Sequence, residues 1–542
     1  MRAQTAMKRY ILLTLLLIAA TGFVTVKYFR SVNLSGVHAG NVMRTIPDSA
    51  AAVFEISNDK GFYDIFTDNS LIGSLVSDSK MAELDTVRKV LFAHPLLQNF
   101  FDNSNVFISL HPLEKTSIEL LLTAAAAKDF DAGAFDALAK LKNKGFLITP
   151  LSIDEKKGYT IFFPALKKRF FIINTEGSIY SASFSKDLVT KAARYKYDKD
   201  KQSFLQLPDQ QNSNSLANLY INYSQLEPLF NQLFRNKNND LFKSFRLLNA
   251  LAALNLNYKT DALMFNGYTN VQSDKPASYL NLFARQAPVE NHLKEISPST
   301  IAYSMSMAVS DPVKFSNDLG KFHDKAGLKV ERDTLFNKIK GETGLDIRAE
   351  FTKLLGTEFA VITTRYREKF GLIMLKDGSK MRPLMGSIST MVNEDEGQLN
   401  YNKLPYFLLG DAFNIFRRPY FRIVDNYLVF ANSGKELDSY YDSYINRKFL
   451  NKTEQYVRFD NLLAERSNLA FFIHFKNSQS ILKNDLKNEF FDLYDNDKLS
   501  IKNFYAASYQ LTAADKNYYT NFCMLRNPAE IIKNADTVKI QK

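Results

Sequence analysis

Apolar and polar positions along the chain fall into short β-rich runs separated by stretches of near-helical period. Residues 51–56, 105–110 and 117–123 predict strands, the last two as pairing neighbours. Between them, Leu84, Val87, Val90 and Leu91 recur at helical spacing, which predicts one or more helices over 62–92 that end before Pro95. Phe130, Phe135, Leu138 and Leu141 share a helical face, with Asp129 or Asp131 as caps and Gly145 as the stop. Strands follow at 147–151, 159–163 and 169–174, the last turning at Glu176-Gly177 into 179–182. A helix over 185–194, a polar loop over 196–215 and a strand over 216–223 come next. Helices at 225–233 and 242–251 lead into a hairpin over 254–270 around Lys259-Thr260-Asp261.

The order then starts again. Ile46-Pro47-Asp48-Ser49 opens an apolar run through Phe54, and Ile296-Ser297-Pro298-Ser299-Thr300 opens another through Met307. Asn105-Val106-Phe107-Ile108 is answered by Glu358-Phe359-Ala360-Val361, and Leu120-Leu121-Leu122 by Leu372-Ile373-Met374. Farther on, Phe170–Thr175 is matched by Phe421–Asn426, residues 179–182 by 428–431, and 215–221 by 467–473. Lys186-Asp187-Leu188 and Lys435-Glu436-Leu437 each open the helix that follows the second of these matches. The offset stays at about 250 residues, which is the mark of a tandem duplication. The expected fold class is α+β: duplicated halves with largely antiparallel sheets and packed helices, preceded by one N-terminal transmembrane helix. Residues 46–272 form the first repeat, 273–295 a connector with Pro276 and Pro288, and 296–542 the second repeat. Whether the two sheets join is open at this stage.

Tyr10 to Val26 is free of charge and follows Lys8 and Arg9. As a helix it spans about 25 Å, near the lower limit for crossing a bilayer. Ala19-Ala20-Thr21-Gly22 offers a weak cleavage site for a signal peptide. The apolar run continues past it to Val26, so residues 1–30 read as an uncleaved signal anchor and 31–45 as a stalk. Lys8 and Arg9 keep the N-terminus cytoplasmic and place the body on the far side, although Lys27 and Arg30 blur the asymmetry.

Composition adds little chemistry. The chain has 542 residues, 46 % of them apolar, with no tryptophan and a formal charge of +12. Arg2, Lys8, Arg9, Lys27 and Arg30 flank the apolar run, so the body itself is only mildly basic. The single Cys523 excludes an internal disulfide and a thiolate-rich metal site. His38, His94, His111, His292, His323 and His474 are scattered, with no HExxH, and His474 sits at a strand position facing solvent or the sheet rim. Dinucleotide, P-loop and nucleophile-elbow motifs are absent.

Ser57/Lys60, Ser77/Lys80, Ser183/Lys186 and Ser480/Lys483 have S-x-x-K spacing but lack the companion motifs that serine acyl-enzymes need. Glu394-Asp395-Glu396-Gly397 and Asp495-Asn496-Asp497 are pieces of acidic loops without the ligand spacing of a calcium site. Lys167-Lys168-Arg169 and Arg417-Arg418 precede matched strands, where positive charge discourages edge pairing or contacts anionic headgroups. Aromatic residues interleave with them, but a body outside the cytoplasm excludes nucleic acid as partner.

The anchor, the Ile-Pro-Asp-Ser opening, Ser278–Phe283 and the segment Arg418–Ser433 resemble a family of bacterial membrane-anchored envelope proteins known only as a domain of unknown function. The resemblance implies an envelope location and supplies no catalytic residue. The expectation is therefore a single-pass, non-enzymatic binding or scaffold protein, with its body periplasmic and its anchor in the inner membrane. An envelope protein, a lipid or a cell-wall polymer is the expected partner. No catalytic, cofactor-binding or metal-ligating residue is assigned. Two alternatives stand beside it: a carrier of lipid or another apolar ligand, and a hydrolase with a site assembled from distant residues.

Overall fold

The computed structural model describes residues 40–56, 85–97, 105–112, 118–127, 129–141, 145–198, 217–235, 248–259, 261–271, 278–488 and 503–527, with 83, 100, 204, 490 and 491. The expected anchor, most of the stalk and the Ser57/Lys60, Ser77/Lys80 and Asp495–Asp497 positions lie outside these residues.

In the first half the strands are β1 (Ala52–Ile56), β2 (Val106–Pro112), β3 (Ile118–Ala125), β4 (Leu147–Ile153) and β5 (Lys156–Phe163). They continue with β6 (Lys168–Glu176), β7 (Ile179–Ser183), β8 (Ala217–Asn222), β9 (Ala250–Lys259) and β10 (Ala262–Val271). The second half supplies β11 (Ile301–Ala308), β12 (Leu355–Thr364), β13 (Lys369–Leu375), β14 (Ser389–Met391) and β15 (Glu396–Leu399). Then come β16 (Tyr420–Val424), β17 (Tyr427–Ala431), β18 (Leu469–His474), β19 (Phe504–Ala514) and β20 (Asn517–Arg526).

All twenty join in one antiparallel sheet. The first half runs β4-β5-β6-β7-β3-β2-β1-β8-β9-β10. From the other edge the second half runs β14-β15-β16-β17-β13-β12-β11-β18-β19-β20. The two orders are the same, strand for strand, and they meet where β10 pairs with β20. Asn266 faces Asn521 in that seam and Tyr268 faces Tyr519. Tight hairpins make the order possible. Asp515 and Lys516, at φ 47° and 68°, are the two left-handed residues that turn β19 into β20.

Strands β9 and β10 approach closely beside the seam. A Cβ on Gly267 of β10 would collide with the carbonyl of Ala253 and come within 2.9 Å of the Leu254 Cα. Only glycine permits that approach. Tyr223, at the end of β8, meets Tyr509 of β19, although three strands lie between them. The face on which these rings converge is the inner one.

Helices cover both faces. On the inner face of the first half, α1 (Gly133–Lys140) buries Phe135 and Leu138 with Ile148, Ile161 and Phe170. On the outer face, α2 (Lys186–Arg194) buries Leu188, Val189 and Ala192 against Leu121 and Ile173. Ser185 caps α2 by accepting from the Leu188 N–H. In the second half α3 (Pro312–Lys325), α4 (Lys329–Thr343) and α5 (Ile347–Leu354) put Phe315, Ile339 and Phe351 into the largest core cluster. Opposite them, α6 (Gly434–Ile445) and α7 (Glu454–Asp460) bury Tyr440 and Phe459 on the outer face.

Three expectations need correction. Helix α1 ends at Lys140 with an extended Leu141, so Gly145 does not stop it, whereas Asp131 does cap its start, accepting from the Gly133 N–H at 2.8 Å. Ala250 and Leu251 belong to β9, not to a helix, because they continue its alternation. The stretch Tyr279–Arg285, inside the expected connector, is a 3-10 turn whose Tyr279, Leu280 and Phe283 are sealed in the core. Tyr279 donates to the Leu409 carbonyl at 2.6 Å.

Candidate functional site

The segments after β8 and β18 occupy equivalent positions but are held differently. After β18, the helix Phe475–Asp485 lies on β11, β18 and β19 and buries Phe475, Ser478 and Ile481. Ser478 donates to the Ala302 carbonyl at 2.7 Å, and Asn477 to that of Ile301 at 2.7 Å. After β8, the helix Leu226–Leu233 buries none of its residues. Its sequence, LEPLFNQL, carries Leu226, Leu229, Phe230 and Leu233, all only half-buried. Its far end is fixed to the other helix: Arg235 N–H donates to Asp485 O at 2.8 Å, and Lys487 N–H to Leu233 O at 3.0 Å. The helix thus stands over the sheet as a wall.

Between this wall and the inner face lies a cleft of about 260 Å³. Ile221, Leu226 and Phe230 line it from the first half, and Phe471, Ile473, Ala507 and Phe522 from the second. Its exposed lining is carbon throughout. Tyr223 and Tyr509 also line it, but their hydroxyls hydrogen-bond each other, and Thr269 and Thr520 are bonded at 2.6 Å across the seam. Burial pushes the Tyr223 phenol up to about 12, while burial and the neighbouring Tyr223 hold Tyr509 well above its ordinary value. Both rings are therefore neutral, and the site can solvate an apolar group but offers nothing to an ion.

The candidate chemistry in the sequence is not gathered there. His111 is sealed from solvent on β2, its Nδ1 2.9 Å from Ser49 Oγ and its Nε2 2.8 Å from Ser109 Oγ. Burial, reinforced by the charge of Lys191, pushes its pKa down to about 3, so the ring is neutral. Ser109 donates on to the Leu121 carbonyl. The ring ties the turn before β1 to the sheet, and no carboxylate bonds it among the described residues. His474 is neither solvent-facing nor inert. Its Nδ1 accepts from the Asn477 N–H, capping the helix that follows, and burial lowers its pKa to about 4. His323 is fully buried against Tyr406 and Phe407, with neither ring nitrogen bonded.

Ser183 donates to the Leu120 carbonyl at 2.6 Å, and Ser480 sits on the helix after β18. Asp395 pairs with Arg382, and Glu396 with Arg422. Lys168 meets Glu83 at 2.6 Å, and Arg418 donates to the Leu399 carbonyl. A second, smaller cavity of about 60 Å³ has a mixed lining, with Ser304, Ser306, Ser508 and Glu358 beside Leu293, Leu450 and Phe472. Glu358 accepts from the His292 and Leu293 amides, while burial holds its carboxyl above the usual range. No group of three or more His, Cys, Asp or Glu among the described residues could hold a metal ion.

Comparison with protein-family models, with curated proteins and with solved structures finds no match. Among the described residues no helix is long and apolar enough to cross a membrane.

The cleft residues escaped sequence reasoning because each half contributes only part of the wall. Phe230, Phe471, Tyr509 and Phe522 read as ordinary core of a helix or strand. The usable signal was the contrast between two matched segments: one helix alternates polar and apolar faces, and the other presents LEPLFNQL.

Proposed function

We propose that this chain is a membrane-tethered, non-enzymatic binding protein that holds an apolar chain, such as a lipid acyl tail, in the cleft across its seam. The cleft carries this assignment: about 260 Å³ of wholly carbon lining, walled by a helix that buries none of its residues fully. A polar or charged substrate would lose its hydration there without compensation, whereas methylenes gain by leaving water. The carrier alternative is thereby preferred to a scaffold that binds only protein.

The same proposal takes residues 1–30 as the anchor, with the body on the extracytoplasmic side and an envelope location like that of the family it resembles. The charge-free run from Tyr10 to Val26 after Lys8 and Arg9 supports it. It also takes the two halves as copies of one ancestral module. The matched segments and the identical strand orders on either side of the seam support that origin.

Cells fed a photoactivatable, alkyne-tagged palmitate test the assignment on the whole chain in its membrane. Label is expected on peptides carrying Phe230, Phe471 or Tyr509. Ala507→Phe, which fills the cleft with apolar bulk, should lower that label at least fivefold. Label confined to the N-terminal run, or unchanged in Ala507→Phe, contradicts it.

A further inference from the structure

The outer face of the sheet at the seam differs from an ordinary solvent face in one respect. Asparagine is among the residues least suited to strands, because its short amide competes for backbone bonds and packs poorly on a pleat. Yet Asn218 (β8), Asn255 (β9), Asn266 (β10) and Asn521 (β20) stand directly opposite one another across four adjacent strands. Gln510 of β19 extends the row on one side and Glu55 of β1 on the other. So regular a breach of local preference is expected where a face has work to do.

The two ends of the row are closed. Glu55 accepts from Asn105, Asn218 and Tyr220, at 2.7 Å, 3.0 Å and 2.7 Å. Gln510 exchanges two bonds of 2.9 Å with the Ala464 backbone. The middle is less tied. Asn255, Asn266 and Asn521 are half-buried; Asn266 accepts from the Asn257 amide through its Oδ1, and the side chains of Asn255 and Asn521 make no hydrogen bond among the described residues. Tyr519, which is 42 % exposed, and its cross-strand partner Tyr268 flank the amides with unbonded hydroxyls.

Charge narrows the ligand class. Along β9, β10, β20 and β19 the outer-face positions hold no charged side chain except Lys259 at a hairpin end. A polyanion would find a single cation there, Lys259 at the hairpin end, and a charged peptide would find too little charge to hold it. Asn255 and Asn521 each offer two donors and an acceptor, and Asn266 its two donors, at the strand spacing of about 4.8 Å, which is close to the advance of one sugar along an extended glycan. Phenol rings beside such amides present an apolar face on which the C–H face of a pyranose stacks.

We propose that this outer face binds a neutral glycan strand, with Asn255, Asn266 and Asn521 hydrogen-bonding its hydroxyls and Tyr268 and Tyr519 stacking on its rings. The surface is separate from the cleft, which lies on the inner face, and does not depend on what the cleft holds.

Titration of the full chain in detergent with a β-1,4-linked N-acetylglucosamine tetramer, followed calorimetrically, tests it. Saturable binding is expected, weakened at least fivefold by Asn521→Ala and by Tyr519→Ala, and retained in Tyr519→Phe, which keeps the ring. Unchanged thermal unfolding of the variants separates lost binding from lost structure. Absence of saturable binding by the native chain, or equal binding by both alanine variants, overturns the proposal. So does preferential binding of heparin, a polyanion, over the tetramer.

Discussion

The buried imidazoles show how much a single side chain can set. His111 and His323 are fully buried and held neutral, with pKa values pushed down to about 3 and about 4 chiefly by burial. In the unfolded chain each would titrate near 6.5. Their contribution to stability is therefore whole above that pH and lost progressively below it, as only the unfolded state takes up the proton. At pH 5 each should cost about 2 kcal/mol. Urea midpoints compared at pH 7 and pH 5 check this, and a midpoint that rises on acidification would contradict it. His323 carries a further expectation. With both nitrogens unbonded and rings on either side, His323→Phe should be neutral or stabilise by about 1 kcal/mol, and should remove its share of the pH dependence.

At the level of elements, the paired helices make a sharper contrast. Ile481 is buried under its helix, so Ile481→Ala should cost about 2–5 kcal/mol. Leu226 lies half-exposed at the cleft, and Leu226→Ala should cost about 1 kcal/mol or less. Urea unfolding of the two variants measures the difference, and equal losses would mean that both helices are seated alike. Backbone amides of Leu226–Leu233 should likewise exchange faster than those of Phe475–Asp485. Strands and hairpins were legible in the sequence because their information is local. Alternation fixed β2 and β3 as neighbours, and Glu176-Gly177 marked the turn between β6 and β7. The helices of residues 312–354 were not named, since Val313 and Val330 stand exposed and blur the apolar stripe. His474 was misplaced for a related reason: the strand stops at it, and a helix begins one residue later.

For the molecule as a whole, the decisive contact is the one that sequence could not supply. Pairing of β10 with β20 joins residues some 250 positions apart, and no local pattern specifies that register. Across that seam Tyr223 meets Tyr509, and residues of both halves line a cleft that neither contains alone. A sheet continuous through the seam, with Tyr279 and Phe283 sealed in the shared core, should unfold in one cooperative transition. Two separated thermal transitions would show that the halves are independent. The cleft itself is tested most directly by native mass spectrometry of the full chain. One equivalent of an acyl-chain species should remain bound, and Ala507→Phe should abolish it. A native chain that carries no such species, or an Ala507→Phe chain that carries it undiminished, would contradict the account.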